Sequence, residues 1–322
     1  MKKGYLYILL ATVLFSTMEI ALKVVTNSFN PIQMTFLRFL IGSIILLPLA
    51  IKGLRSRDFH PKTGDLAFFA LTGFICVVVS MVLYQMAIFY SQAAIVAILF
   101  SVNPVFVVLF AFLLLHEKIY LHTVISIIIS IAGIIVIMNP LHMSGTALGI
   151  VLTILSAIAF AFYNVVGRTR SDRYGGIAMT CFSFMFGSME MLLLIFLSRI
   201  SAVATFLTQV GLKSFADVPL LQGISLHTLP NLIYIGIFVT GLGYTFYFLA
   251  METTSAAKAS LVFFIKPVLA PILALILIHE TITLNVVTGI LLIIIGSLIS
   301  FYPSLKLLFN GSPILVDKSP RR

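Results

Sequence analysis

The sequence predicts an all-α polytopic membrane protein, ten transmembrane helices arranged as two inverted five-helix repeats, and three observations predict it. Hydrophobic residues make up 61% of the 322 residues and charged residues only 9%, with a mean hydropathy of +1.17, far outside the range of a water-soluble domain. Apolar runs of roughly 20 residues recur along nearly the whole chain, each long enough to cross about 30 Å of hydrocarbon as a helix. The chain also matches itself, twice, at two different offsets.

Taken in order, the first run covers residues 5–25. Lys2 and Lys3 before it mimic a secretory leader, but Glu19 and Lys23 interrupt the run and no small-residue cleavage site follows, so it reads as the first span. Residues 31–51 form the second span, opened by Pro31, and the basic stretch from Lys52 to Lys62 separates it from the third, residues 65–88. The fourth (92–115) and fifth (121–139) are parted by His116-Glu117-Lys118, and the sixth (146–166) and seventh (177–200) by Arg168, Arg170 and Arg173. The polar stretch 201–230 precedes the eighth span (231–250), and His279-Glu280 divides the ninth (256–278) from the tenth (283–303).

The repeat organises these spans. An offset of 145 puts Gly4, Leu10, Phe15, Thr35 and Gly42 on Gly149, Leu155, Phe160, Thr180 and Gly187. An offset of 163 puts Gly73, Tyr84, Ala87, Phe100, Pro104, His116, Glu117 and Gly133 on Gly236, Tyr247, Ala250, Phe263, Pro267, His279, Glu280 and Gly296 without a gap. The offsets differ by 18 residues, an insertion hosted by 201–230. The domains are therefore a first five-helix repeat, 1–142, a second, 143–305, and a cytoplasmic tail, 306–322. Five spans is an odd number, so the second copy enters from the opposite side. Basic residues concentrate in alternate segments, which makes both termini cytoplasmic and leaves only Lys23, Arg199 and Lys213 in or near the outer ones.

Composition also excludes. The net charge of +10 is scattered through short loops, as membrane orientation requires, so nucleic acid is not an expected partner; the lipid bilayer is. Cys76 and Cys181 lie inside apolar runs without metal-like spacing, so neither a disulfide, a metal site nor a cofactor is expected. His116-Glu117 and His279-Glu280 do not continue as HExxH; Glu117 and Glu280 read as acidic caps at the starts of spans five and ten.

Three stretches resemble one family. They are PIQMTFLRFLIG (Pro31 to Gly42), LYQMAIFYSQAAIVAILFSVNPVF (Leu83 to Phe106) with its repeat FYFLAMETTSAAKASLVFFIKPVL, and LLLHEKIYLHTVISIIISIAGIIVI with LILIHETITLNVVTGILLIIIGSLI downstream. In order, spacing and duplication the chain resembles the drug/metabolite transporter superfamily, specifically the ten-span EamA type, over residues 4–303. The resemblance implies an exporter or permease for amino acids, metabolites or drugs in the cell inner (plasma) membrane. It departs where the second half has Gly176 and Ser183 for Pro31 and Arg38.

Ionisable groups inside hydrocarbon cost several kcal/mol unless paired or hydrated and are functional candidates by default. Glu19, Arg38, Glu190 and Lys266 qualify. Glu19 lies roughly 22 Å into the first span and Lys266 about 15 Å into the ninth from the same side, so both approach the midplane. The offsets make Asn164 the counterpart of Glu19, and Asn103 that of Lys266. Glu19 and Lys266 are expected to form the polar core of a substrate site, with Asn103 and Asn164; the alternative is a buried salt bridge with structural duty alone. Tyr84, Gln85, Tyr163, Tyr244 and Tyr247 are candidate lining residues. Glu19, Glu190 and Arg38 are candidates for coupling or gating, Arg38 being close enough to the outer end of its span to snorkel outward.

The function expected is a secondary transporter that exports a small metabolite, an amino acid or related compound, by alternating access between inverted halves, with proton coupling through Glu19 as one form of drive, as a monomer or homodimer. An intramembrane enzyme or a channel is the alternative, although the sequence holds no GxSxG, HExxH or Walker loop.

Overall fold

The computed structural model describes residues 2–60, 62–116, 121–138, 147–254, 259 and 261–309. Among these residues every regular element is helical. Seven helices are long and apolar enough to cross a membrane: Lys3–Val24, Pro31–Arg55, Thr63–Tyr90, Ala93–Leu115, Ala147–Arg168, Gly176–Ser198 and Leu229–Thr253. Three more, Leu121–Met138, Leu261–Ile278 and Leu284–Phe309, hold shorter apolar stretches. In chain order the long segments are called the first to tenth helices below, the last three named being the fifth, ninth and tenth. The protein is a multi-helix membrane protein, and each helix overlaps a run expected from the sequence.

Local chemistry sets the boundaries. Asn30 accepts from the Ile32 amide at 2.8 Å with Pro31 at the first helical position, so the second helix starts where its orphan amides find a partner. The Lys62 amide donates to the Asp65 carboxylate at 2.8 Å at the start of the third helix. The fourth helix ends on His116 and the ninth ends beside His279, both in the left-handed region at φ 54°. The third helix winds as a π-helix over Phe74–Met81 and the eighth over Tyr234–Leu242, stretches that overlap under the offset of 163.

Packing follows a paired pattern. The second helix packs on the seventh and the fifth on the tenth; the first meets the eighth and ninth as the sixth meets the third and fourth. In the second–seventh and fifth–tenth pairs the partners run antiparallel. Phe39 meets Phe184 edge-on with centroids 4.6 Å apart while the Ser43 carbonyl accepts from the Cys181 thiol at 3.4 Å. In the other pair Gly133 faces Ile293, and Gly296 faces Ser126 and Ser130.

Small residues make the approach possible, because between apolar helices in lipid close backbone contact is the main source of attraction. A Cβ on Gly42 would meet Thr240 at 2.6 Å, and one on Gly187 would meet Val77 at 2.6 Å. The two offsets carry the first contact onto the second. They also carry Phe15 against Phe263 (6.4 Å) onto Phe160 against Phe100 (5.4 Å), and Tyr247 against Phe263 (5.2 Å) onto Tyr84 against Phe100 (4.7 Å). The inserted segment closes over one end of the second helix: Gln33, fully buried, donates to the carbonyls of Leu220 and Gln222 at 3.0 and 2.7 Å, and Asn30 donates to that of Ser214.

Candidate functional site

Glu19 follows an irregularity in the first helix at Thr17, whose hydroxyl donates back to the Val13 and Leu14 carbonyls and pairs with the Tyr234 hydroxyl at 2.6 Å. The Glu19 side chain is wholly buried. Its Oε1 meets Lys266 Nζ at 2.6 Å and accepts from the Tyr84 hydroxyl, while Oε2 has no hydrogen-bond partner. Lys266 sits in the ninth helix immediately before Pro267, with Pro271 one turn on, its side chain 5% exposed and its ammonium 5.9 Å from the Phe100 ring centre. An acid and a base from sequence-distant helices thus neutralise each other inside the apolar bundle. Water is excluded, so the attraction is strong and so is the cost of having desolvated both groups.

Arg38 differs from its sequence expectation. It does not snorkel: only 1% exposed, it turns inward, its guanidinium 4.5 Å from the Phe39 ring centre and 5.9 Å from that of Tyr84. Its Nη1 and Nη2 reach only the Met18 and Met81 sulfurs at 3.8 and 3.5 Å, and Nε has no partner. The flanking aromatics and thioethers provide an apolar sheath that the interface does not.

The counterpart cluster carries no charge. Asn103, half-buried at the start of the lower part of the fourth helix, donates to the Ala157 carbonyl at 2.7 Å; Asn164 is half-buried on the sixth. Tyr163 is buried, its ring centre 5.6 Å from that of Phe160. Tyr244 packs edge-on against Phe15 and Phe184, and Tyr247 against Phe263. Gln85 is buried with Oε1 unpartnered. Glu190, one turn beyond Gly187, has a buried Oε2 without a partner and makes no contact with Glu19 or Lys266.

Glu280 is a helix cap, but of a different helix from the one expected. Its two oxygens accept from the Ala93 and Ala94 amides at 2.7 and 2.9 Å, because the left-handed turn at His279 carries the carboxylate toward the start of the fourth helix and not the tenth. Lys23 joins that end, donating to the carbonyls of Ile88 and Ser91. Glu117 lies outside the described residues. At the other end, which sequence reasoning did not anticipate, Asp65 accepts from Arg173 and from the Tyr174 hydroxyl, both at 2.7 Å, and its hydrogen bond holds the Arg173 guanidinium above its ordinary pKa. That pairing was legible only as an acid opening one span and three arginines in a later loop.

Residues 2–139 and 147–302 each match the EamA-like transporter family model. An uncharacterised transporter of Clostridium kluyveri is 37% identical over 314 residues, 95% of each chain, and an uncharacterised transporter of Archaeoglobus fulgidus 26% identical over 86% of this chain and 90% of its own. A crystal structure with 17% identity aligns over 94% of this chain and 98% of its own at a TM-score of 0.63, a likeness of fold.

Proposed function

The chain belongs to the EamA-like transporter family, and from that premise we propose that it is a secondary carrier moving a small metabolite, an amino acid or related compound, out of the cell by alternating access. On this reading ten spans form two inverted repeats, 1–142 and 143–305, and both termini and the 306–322 tail lie on the cytoplasmic side of the inner membrane. The antiparallel second–seventh and fifth–tenth pairs and the contacts repeated under both offsets support that arrangement. Two similar halves of opposite direction open to either face at similar energy, which is what alternation needs.

The observation that carries the reading is the buried Glu19–Lys266 pair with Tyr84. An ion pair buried between apolar helices is a place for a polar solute to dock and for a coupling proton to arrive at Glu19. Tyr84, Gln85, Tyr163, Tyr244, Tyr247, Asn103 and Asn164 are the proposed lining groups, and Glu190 a coupling candidate. The protein works as a monomer or homodimer.

Counterflow in proteoliposomes tests it. Wild type is expected to exchange preloaded solute, and Glu19→Gln and Lys266→Gln, reconstituted to equal levels, to lose exchange. Full exchange by both variants would reduce the pair to a structural element.

A further inference from the structure

The buried centre does not balance its charge. Arg38 and Lys266 are two cations with 1% and 4% of their surface exposed, and the buried carboxylates among the described residues are Glu19 and Asp65, the latter paired with Arg173. Lys266 already holds Oε1 of Glu19. The guanidinium is left with two thioethers and two aromatic faces, all weak partners, and one nitrogen with none. A guanidinium out of water without an oxygen acceptor is among the most costly arrangements a fold can retain, and its planar fork fits a carboxylate.

Resting on the carrier reading, we infer that Arg38 receives the anionic group of the transported solute, and that the solute is a small carboxylate of net charge −1. One such charge brings the centre from one positive to neutral; a zwitterion leaves the surplus, and a phosphate monoester, near two negative charges, reverses it. The second requirement is a hydrogen-bond donor beside the carboxylate. Glu19 Oε2 and Ser16 Oγ, on either side of the irregularity at Thr17, are both buried and unpartnered. Hydroxy acids and acidic amino acids meet both conditions; amides and amines do not. Arg38 has no double in the other half, where Ser183 stands and its hydroxyl is already bonded to the Met179 carbonyl and to Thr72.

The test uses purified full-length protein and matched probes: hydroxy acids and acidic amino acids of net charge −1, their primary amides, and the corresponding amines. Thermal shift is expected to rise with at least one carboxylate and with neither its amide nor its amine. Arg38→Gln should weaken that response on the order of 100-fold, and Arg38→Lys, which keeps charge but not the fork, by less. Equal stabilisation by amide or amine, no response to any carboxylate, or an undiminished response in folded Arg38→Gln would overturn the inference. The wild-type series stands alone if the variants fail to fold. Counterflow of an amide or amine without a carboxylate would leave the carrier and end the anion; carboxylate binding without any counterflow would do the reverse.

Discussion

Two clusters occupy equivalent places in the two halves, and they differ in one respect. Glu19, Lys266, Arg38 and Tyr84 correspond by the offsets to Asn164, Asn103, Ser183 and Tyr247. Around both, the same rings meet: Phe100 with Tyr84 and Phe160 on one side, Phe263 with Tyr247 and Phe15 on the other. The packing frame is duplicated and the charge is not. On the proposed carrier reading, what alternation requires is shared between the halves, while recognition falls on one side, as a single solute needs only one docking group set.

The largest effect that sharpens this contrast is at Glu19. Glu19→Gln leaves Lys266 and Arg38 without an acid and is expected to cost about 3–5 kcal/mol, read as a lower Tm in detergent. The double variant Glu19→Gln/Lys266→Gln should regain most of that stability and still not transport. Asn103→Ala in the neutral cluster removes one hydrogen bond, to the Ala157 carbonyl, worth about 1 kcal/mol. Comparable losses at Asn103 and Glu19 would erase the distinction between the clusters.

A second test asks whether the frame is as symmetric in energy as in shape. Gly42→Val and Gly187→Val each drive a side chain into a neighbour at 2.6 Å and are expected to cost about 1–3 kcal/mol apiece. A large effect at one and none at the other would mean that only one seam carries the load.

Much of this was readable beforehand, for physical reasons. Span positions follow from hydrocarbon thickness, and the meeting of Glu19 with Lys266 followed from depth along two helices, since a lone charge in lipid must seek a partner. Arg38 was misjudged because depth says nothing of azimuth: seven residues from the start of a helix allows either snorkelling outward or turning in, and only Phe39, Met18 and Met81 closing round it decide. Glu280 was recognised as a cap, but which helix it caps depends on the left-handed turn at His279 and on the neighbour that turn faces. Arg173, not Arg168 or Arg170, pairs with Asp65, a choice that tertiary packing alone makes.

The smallest effect concerns a feature the halves do not share in the frame itself. Gln33 ties the inserted segment down through two carbonyls, and its counterpart in the second half is Ala178, buried and without side-chain polar atoms. Gln33→Leu removes both bonds, yet it also removes Oε1, which is buried without a partner, so loss and relief oppose each other. The net change in global stability should stay within about 1 kcal/mol. The local change should not: the Leu220 and Gln222 carbonyls lose their donors, and hydrogen exchange or proteolysis across 212–224 should rise while the Tm barely moves. A Tm drop as large as that of Glu19→Gln would make the inserted segment part of the core frame, and the asymmetry between the halves would then be one of architecture as well as charge.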